Sequence, residues 1–486
     1  MIVEDRQFDV AVVGGGFAGL AAANRAAQLG MRAVVLEQGS EERYLCNSRY
    51  TGGSFHICLR NILSDEDTLR QAILDVTRGF VSDTLAGVVA REGRRVVRWL
   101  QDEGARFMRV SGAEHHNFVL APPGRSGPGL DWEGRAGDVL LRTLEANLVQ
   151  RGGAVLRNTR ARSLIVEAQE CCGVVAQQAE REIGFRTRAV VIADGGFQGN
   201  AALVRQYICE HPERLKQRGA GTGRGDGLQM AIAAGARVVG LDRFYGHVLS
   251  RDSMTNDNLW PYPYLDSLAT AGIVVGATGE RFVDEGRGGV YIANAIATLA
   301  DPFSTTLIFD HAIWEGPGRG GLIPVNPHLP AVGGTMLRAD DLVALAQQLD
   351  MEPRRLADTV RSYNEAIATG SLAMLAPARR TSRHAAQPIA VAPFYAAPVC
   401  AGITATMGGI AINEHAQALR QDGTAITGLY AAGGAAGGLE GGPEIGYVGG
   451  LVKCGVTGLA AAEHIAQCRG SAGQAAGERI SGPADR

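Results

Sequence analysis

The sequence predicts an α/β fold. A parallel-sheet domain is assembled from two segments, residues 1–240 and 386–470, an α+β domain over 241–385 is inserted between them, and 471–486 form a flexible tail. Three observations predict this. Residues 8–38 run strand, glycine turn, small-residue helix and strand. Strand patterns ending in paired glycines recur far away, at 189–197 and 429–434. Between them, from about 241, the composition becomes aromatic and charged. A chain of 486 residues is also long enough for two cores.

The first element is the most specific. In FDVAVVGGGFAGLAAANRAAQLGMRAVVLEQ a buried strand, Val10 to Val13, enters Gly14, Gly15, Gly16 and Gly19. A helix follows to about Leu29, then a strand, Ala33 to Leu36, ends on Glu37. This is the G-x-G-x-x-G dinucleotide fingerprint in its full setting, with a strand before, a helix after and an acid about 20 residues on. Gly14 permits the tight turn, Gly16 lets the backbone approach a pyrophosphate, and Gly19 lets helix and sheet pack closely. The helix N-terminus offers N–H groups to phosphates, and Glu37 can accept from a ribose diol. The domain is therefore expected to be Rossmann-like.

Composition excludes several classes. A net charge of −3 gives no basis for nucleic-acid binding. No apolar run is long enough for a membrane span, and the N-terminus enters the first strand without a signal-peptide pattern. The eight cysteines contain no C-x-x-C pair and predict scattered thiols in a reducing, cytoplasmic setting. There is no haem-attachment or iron–sulfur cysteine run, so electrons leave through a separate acceptor: a protein, a quinone or oxygen.

Along the chain, Thr51-Gly52-Gly53-Ser54 forms a second loop suited to lie against a flat ligand. Residues 64–105 read helical, with Ser64 and Asp67 as a cap signal. A helix near 137–152 precedes a small meander, which returns to a buried strand at 189–193 ending in Asp194-Gly195-Gly196. Gly221 to Ala236 is a glycine turn entering a helix that Asp226 could cap, or from which Asp226 could hold a ligand hydroxyl. The segment FYGHVLSRDSMTNDNLWPYPYLD opens the inserted domain, and GERFVDEGRGG follows within it. After Pro393, TATMGGI, GLYAAGGAAGG and a last helix near 451–467 return to the first domain.

VVGGGFAGL, YTGGS, ADGGF, TGRGDG, GERFVDEG, TATMGGI and GLYAAGGAAGG, in this order over residues 8–468, resemble the fumarate reductase/succinate dehydrogenase flavoprotein superfamily. NSRYTGG and RFVDEG resemble its tricarballylate dehydrogenase branch most. The resemblance implies FAD, a capping domain and a small-molecule substrate at their junction. It implies hydride transfer between flavin N5 and a CH–CH or C=C bond beside a carbonyl or carboxylate, with a proton moved at the neighbouring carbon. Around FAD it implies Gly14, Gly15, Gly16, Phe17, Ala18, Glu37, Gln38, Asn47, Ser48, Thr51, Gly52, Gly53 and Ser54 from the first loops. Ala161, Ala193, Gly195, Asp226, Gly433, Gly434, Gly450 and Leu451 complete that set. NSRYTGG lacks the histidine that carries covalent flavin in membrane succinate dehydrogenases, and His56 falls out of register, so non-covalent FAD is expected.

The departures are equally specific. Trp314 stands where fumarate reductases place an arginine proton donor, and Ala405 where they place a histidine. No arginine lies between Gly438 and Lys453, where Glu444 takes the region of the substrate clamp, and Gly434 replaces the glutamate closing A-A-G-E. Each charge-assisted hydrogen bond contributes about 1.5–3 kcal/mol, so a C4 dicarboxylate would be badly paired and Glu444 would repel it. Fumarate is therefore not the expected substrate.

The catalytic candidates are Tyr447, Glu285, Arg287 and His247. Tyr447 lies in the last glycine loop, and ketosteroid dehydrogenases, a related branch, use tyrosines for proton work. Glu285 could act directly, orient Arg287 or form a structural ion pair. His247, with Tyr245, could be a proton-transfer group or a satisfied histidine. Trp314 and Tyr262 read as packing, and His115-His116 have no third ligand at metal spacing. Two other readings stay open: an oxygen-using oxidase or hydroxylase on a cyclic or aromatic-derived substrate, or a ketosteroid dehydrogenase-like enone enzyme. A non-enzymatic electron-transfer flavoprotein is a further possibility.

Overall fold

The computed structural model describes residues 8–110, 113–121, 133–321 and 323–480, the last eleven as backbone alone. A six-stranded sheet runs Gln417–Leu419, Ala425–Ala431, Ala189–Ile192, Val10–Val13, Ala33–Leu36, Ala154–Leu156. Its pairings are parallel except at the Gln417–Leu419 edge. Val10 faces Ala33 on one side and Ala189 on the other. All twelve residues of the three central strands are buried, as a parallel sheet covered on both faces requires. The chain leaves Val10–Val13 toward Ala33–Leu36 and later returns to Ala189–Ile192 on the opposite side. The crevice between Gly14 and Asp194 is thus a topological switch point, where open α/β sheets take ligands.

Small residues set the helix packing. An added Cβ at Gly19 in the Phe17–Gln28 helix would stand 2.0 Å from the Gly14 carbonyl oxygen. One at Gly458 in the Gly450–Ile480 helix would stand 2.7 Å from the Ala18 oxygen. The two helices therefore meet backbone to backbone. The meander is a three-stranded antiparallel sheet of Thr159–Glu167, Glu170–Gln178 and Arg181–Arg186.

The second sheet is built on Phe394–Thr406. This strand pairs with Lys216–Gln217, Phe244–Ser250, Thr306–Asp310 and Leu337–Ala339, and Ile273–Val275 adds beyond Thr306–Asp310. Both 216–217 and 394–406, which the sequence assigns to the parallel-sheet domain, thus contribute to the inserted domain's sheet. A long buried strand has the same apolar pattern in either sheet, so periodicity could not place it.

Two local expectations change. Asp65, not Ser64, caps the Glu66–Thr77 helix, accepting from the Thr68 N–H at 2.8 Å. The final helix continues to Ile480, so the segment expected to be flexible from 471 is helical that far, and 481–486 lie outside the described residues. Its glycines, Gly473 and Gly477, lower helical propensity by only about 1 kcal/mol each, and Ala472, Ala475 and Ala476 favour the helix. No helix among the described residues is long and apolar enough to cross a membrane.

Candidate active site

One cavity of about 1360 Å³ runs from the Gly14 turn to the inserted domain. Sites for single drug-sized ligands span roughly 300–1,000 Å³, so this one has room for a dinucleotide and a substrate together.

The dinucleotide half is a backbone cradle. Gly14 has φ +100°, and an added Cβ would stand 2.7 Å from Asp194 Cα. The Gly15 N–H donates to Glu37 Oε2 and the Gly39 N–H to Oε1, both at 2.8 Å. Glu37 thus stiffens the loop while still lining the cavity, and burial pushes its carboxyl above the usual range despite those donors. The Phe17 N–H donates to Ser48 Oγ at 3.0 Å, and Asn47 ties the Thr404 carbonyl to the Ala220 N–H. Three separated segments are therefore clasped around one space.

These residues fit FAD on two structural observations. A Cβ added at Gly52 or at Gly195 (φ +86°) would meet no atom within 4 Å, so both backbones face open space. Asp194 Oδ1 is buried with no partner among the described residues, while burial pushes its carboxyl up to about 7, a group suited to a ligand hydroxyl. The pyrophosphate would be held at the Gly14–Ala18 turn and helix start, the ribose at Glu37, and the ring system between Thr51–Ser54 and Gly434–Leu451.

Of the residues expected around FAD, all line the cavity except Gly433. Gly433, at φ +63°, is a packing position: an added Cβ would stand 2.7 Å from Ala18 Cβ, and its N–H donates to Thr457 Oγ1. Asp226 lines the cavity but is held by both guanidinium arms of Arg160, at 2.7 and 2.8 Å. The nearest histidine to the second glycine loop, His56, accepts the Leu59 N–H at Nδ1. We expect acid or heat precipitation to release all FAD into the supernatant; flavin fluorescence retained on the denatured chain would contradict this.

The opposite end of the cavity is aromatic. The bulge between Tyr245 and Gly246 interrupts the Phe244–Ser250 strand, and Tyr245 and His247 both line the cavity. His247 Nδ1 is 2.6 Å from Asp266 Oδ2, and its Nε2 is 3.1 Å from the Tyr245 hydroxyl. A carboxylate can only accept, so Nδ1 carries the proton. Burial pulls the imidazole below its ordinary value against the pull of Asp266, so the ring is neutral and Nε2 accepts from the Tyr245 O–H. The Tyr245 ring stacks on Tyr447 at 4.0 Å. Burial, then the nearby Glu440, raises the Tyr447 phenol above its ordinary value. The Tyr447 oxygen accepts from the Gly450 N–H at 3.0 Å, and its own proton has no protein acceptor among the described residues. His56 stands edge-on to Tyr447 and is pushed down to about 3 by burial and then by His115 and His116, so it too is neutral.

Glu285 is not part of this site. It is fully buried away from the cavity, bound to Arg281 at 3.0 and 2.5 Å and to the Val274 N–H. The spacing of four from Arg281 was visible in RFVDE and marks a local ion pair. Glu285→Ala would leave a buried guanidinium uncompensated, so we expect a loss of about 3–5 kcal/mol in urea unfolding.

Arg287 does line the cavity, but it is committed to Glu444 at 2.9 Å and lies over the Tyr291 ring. Glu444 also holds Arg380 and Arg78. Burial alone would raise its carboxyl, but Arg380, Arg287 and Arg78 outweigh burial and hold it below the usual range. Glu444 is thus the centre of an arginine cluster rather than a bare negative charge facing a substrate. Trp314 is buried beside Phe309 and Tyr395. Among the described residues no three His, Cys, Asp or Glu side chains converge to hold a metal.

The sequence did not single out Asp266, whose role depends on a tertiary contact. Tyr245, alternate to His247 on one strand, was legible as its neighbour on the same face.

A family described as FAD binding domain matches residues 9–446. The chain is 26% identical to NADH:fumarate oxidoreductase of Klebsiella pneumoniae (strain 342), over 91% of this chain and 46% of that protein. It is 26% identical to vinyl phenol reductase of Lactiplantibacillus plantarum, over 89% of this chain and 91% of that one. The chain therefore spans about half the length of the first relative and nearly all of the second. The structure of 3-ketosteroid delta1-dehydrogenase from Sterolibacterium denitrificans superposes with a TM-score of 0.74 at 20% identity, covering 95% of this chain and 99% of that one. With a glycine cradle that fits FAD and a family match over most of its length, the chain belongs to the FAD binding domain family, within the fumarate reductase/succinate dehydrogenase superfamily of flavoprotein oxidoreductases.

Proposed function

We propose that the chain is an FAD-dependent dehydrogenase or reductase. Its substrate would carry a CH–CH or C=C bond beside a carbonyl or carboxylate. The observation that carries the reading is the hydrogen-bonded run Asp266–His247–Tyr245, which ends beside Tyr447 in the cavity wall. When bound, FAD supplies a hydride acceptor or donor.

The side chains then handle the proton. Tyr447, a phenol with an unspent donor, is suited to hydrogen-bond a substrate carbonyl oxygen and stabilise charge developing there. Tyr245 alone is too weak an acid to become phenolate. With neutral His247 accepting its proton, Tyr245 can take one from the carbon next to the carbonyl, and Asp266 stabilises the imidazolium that forms. Run backwards, the same groups deliver a proton for reduction. The aromatic wall of Tyr50, Trp260, Tyr262 and Tyr264 supports a cyclic or aromatic-derived substrate rather than fumarate. The name of the vinyl phenol reductase relative points the same way. Eight cysteines without a disulfide favour a cytoplasmic site of action, with a separate protein, quinone or oxygen as electron acceptor.

Anaerobic mixing with saturated and conjugated cyclic ketones and acids tests the reading. We expect a member of the panel to bleach or restore the flavin band near 450 nm within turnover times. A reduced flavin that air reoxidises rapidly and that none of these compounds reoxidises would favour the oxidase reading instead.

A further inference from the structure

The guanidinium of Arg218 has no catalytic or structural assignment above. Its side chain lines the cavity and is 8% exposed. One Nη donates to Thr404 Oγ1 at 2.9 Å and the other to the Pro261 carbonyl at 3.2 Å, both neutral partners. Its Nε is buried with no partner among the described residues. It lies 5.9 and 5.8 Å from the ring centres of Tyr262 and Tyr264, and Tyr264 in turn stacks on His247 at 4.4 Å.

The cavity's acids do not neutralise it. Asp266 is taken by His247 and the Val248 N–H, Glu440 by Lys453, Glu444 by its arginines and Asp226 by Arg160, while Glu37, Asp75 and Asp194 make no ion pair with Arg218 among the described residues. Among the described residues Arg218 makes no ion pair, whereas the other arginine of the cavity that is shielded from solvent, Arg287, makes one. A buried guanidinium without a counter-ion is costly unless a ligand supplies the anion. Its polar partners lie at Thr404 and in the 260–264 turn, beside the tyrosine–histidine run and not at the Gly14–Ala18 cradle.

We infer that Arg218 binds a carboxylate of the substrate, which makes the substrate a flat, conjugated carboxylic acid held between the aromatic walls. This rests on the cavity being the hydride-transfer site. It assigns the anion to a residue on the Lys216–Gln217 side of the second sheet rather than to the last glycine loop.

The test is calorimetric binding to oxidised, FAD-loaded protein, which needs no turnover and so fails separately from the reaction itself. The probes are benzoate, cinnamate and cyclohex-1-ene-1-carboxylate, each against its primary amide. At least one acid is expected to bind about 10- to 100-fold more tightly than its amide. Arg218→Gln should remove that preference with FAD content unchanged. Arg218→Lys, which keeps the charge and loses the fork, should weaken the acid and leave the amide alone; it decides the matter if the glutamine variant does not fold. The inference is overturned if no acid outbinds its amide, if the preference survives either substitution undiminished, or if a folded Arg218→Gln protein loses FAD.

Discussion

Tyr245→Phe and Tyr447→Phe each lower turnover by about 10²- to 10⁴-fold, with FAD still bound. The two losses have different causes. Phenylalanine at 245 keeps the stack on Tyr447 but removes the hydroxyl 3.1 Å from His247 Nε2, so no proton can pass between substrate and imidazole. Phenylalanine at 447 keeps the ring and removes a hydroxyl whose proton has no acceptor among the described residues. Tyr447→Phe therefore weakens binding of a carbonyl-bearing inhibitor, whereas Tyr245→Phe acts on kcat alone. The pH dependence follows from His247. Burial holds its pKa below the ordinary histidine value, so the neutral, proton-accepting ring persists into mildly acidic solution. Dehydrogenation is lost as pH falls, with a midpoint below about 6.5. Rate–pH profiles of native protein and of Asp266→Asn, in which the imidazolium loses its partner, check this: the variant should be slower at every pH. A wild-type midpoint above 6.5, or full activity in either phenylalanine variant, would contradict the assignment.

Gly14→Ala yields protein without FAD. The residue has φ +100°, which costs an L-residue roughly 1–3 kcal/mol. Its Cβ would also stand 2.8 Å from the Ala193 carbonyl oxygen and 2.7 Å from Asp194 Cα. The only relief is to push the Val10–Val13 and Ala189–Ile192 strand ends apart, which opens the crevice that holds the dinucleotide. A 450-to-280 nm absorbance ratio near zero, with secondary structure retained by circular dichroism, is the expected result. Gly30→Ala, at a surface turn where a Cβ meets nothing within 4 Å, should retain FAD and serves as the control.

Cofactor geometry was legible because glycine reports it locally. Gly14 to Gly19, Thr51 to Ser54 and Gly195 each mark a place where backbone must approach a flat ligand or another backbone, and all but Gly19, which packs on the Gly14 carbonyl, border the cavity. Gly433 misled because a glycine that lets the turn after a strand pack on a helix looks the same in sequence as one that faces a ligand. Glu285 misled because a charged motif reads as chemistry until Arg281 and Arg379 are seen to enclose it. Asp266 and Arg218 carry no local signal at all. The first starts a six-residue helix and the second follows a two-residue strand; only the second sheet, assembled around Phe394–Thr406, brings them near His247. Side chains that act through tertiary contacts are invisible to spacing.

On the proposed reading this cavity moves a hydride to or from one carbon of the substrate, and the proton at the neighbouring carbon passes through the Tyr245–His247–Asp266 run. Reduction of a conjugated substrate by prereduced protein in deuterated water, with product analysed by mass and NMR, tests it most directly. The expected result is solvent deuterium on a single face of the carbon beside the carbonyl, in addition to the deuterium that the exchangeable flavin N5–H carries to the neighbouring carbon, and loss of product formation in Tyr245→Phe. Solvent deuterium on both faces of that carbon, or an oxygen atom gained by the product, would contradict it.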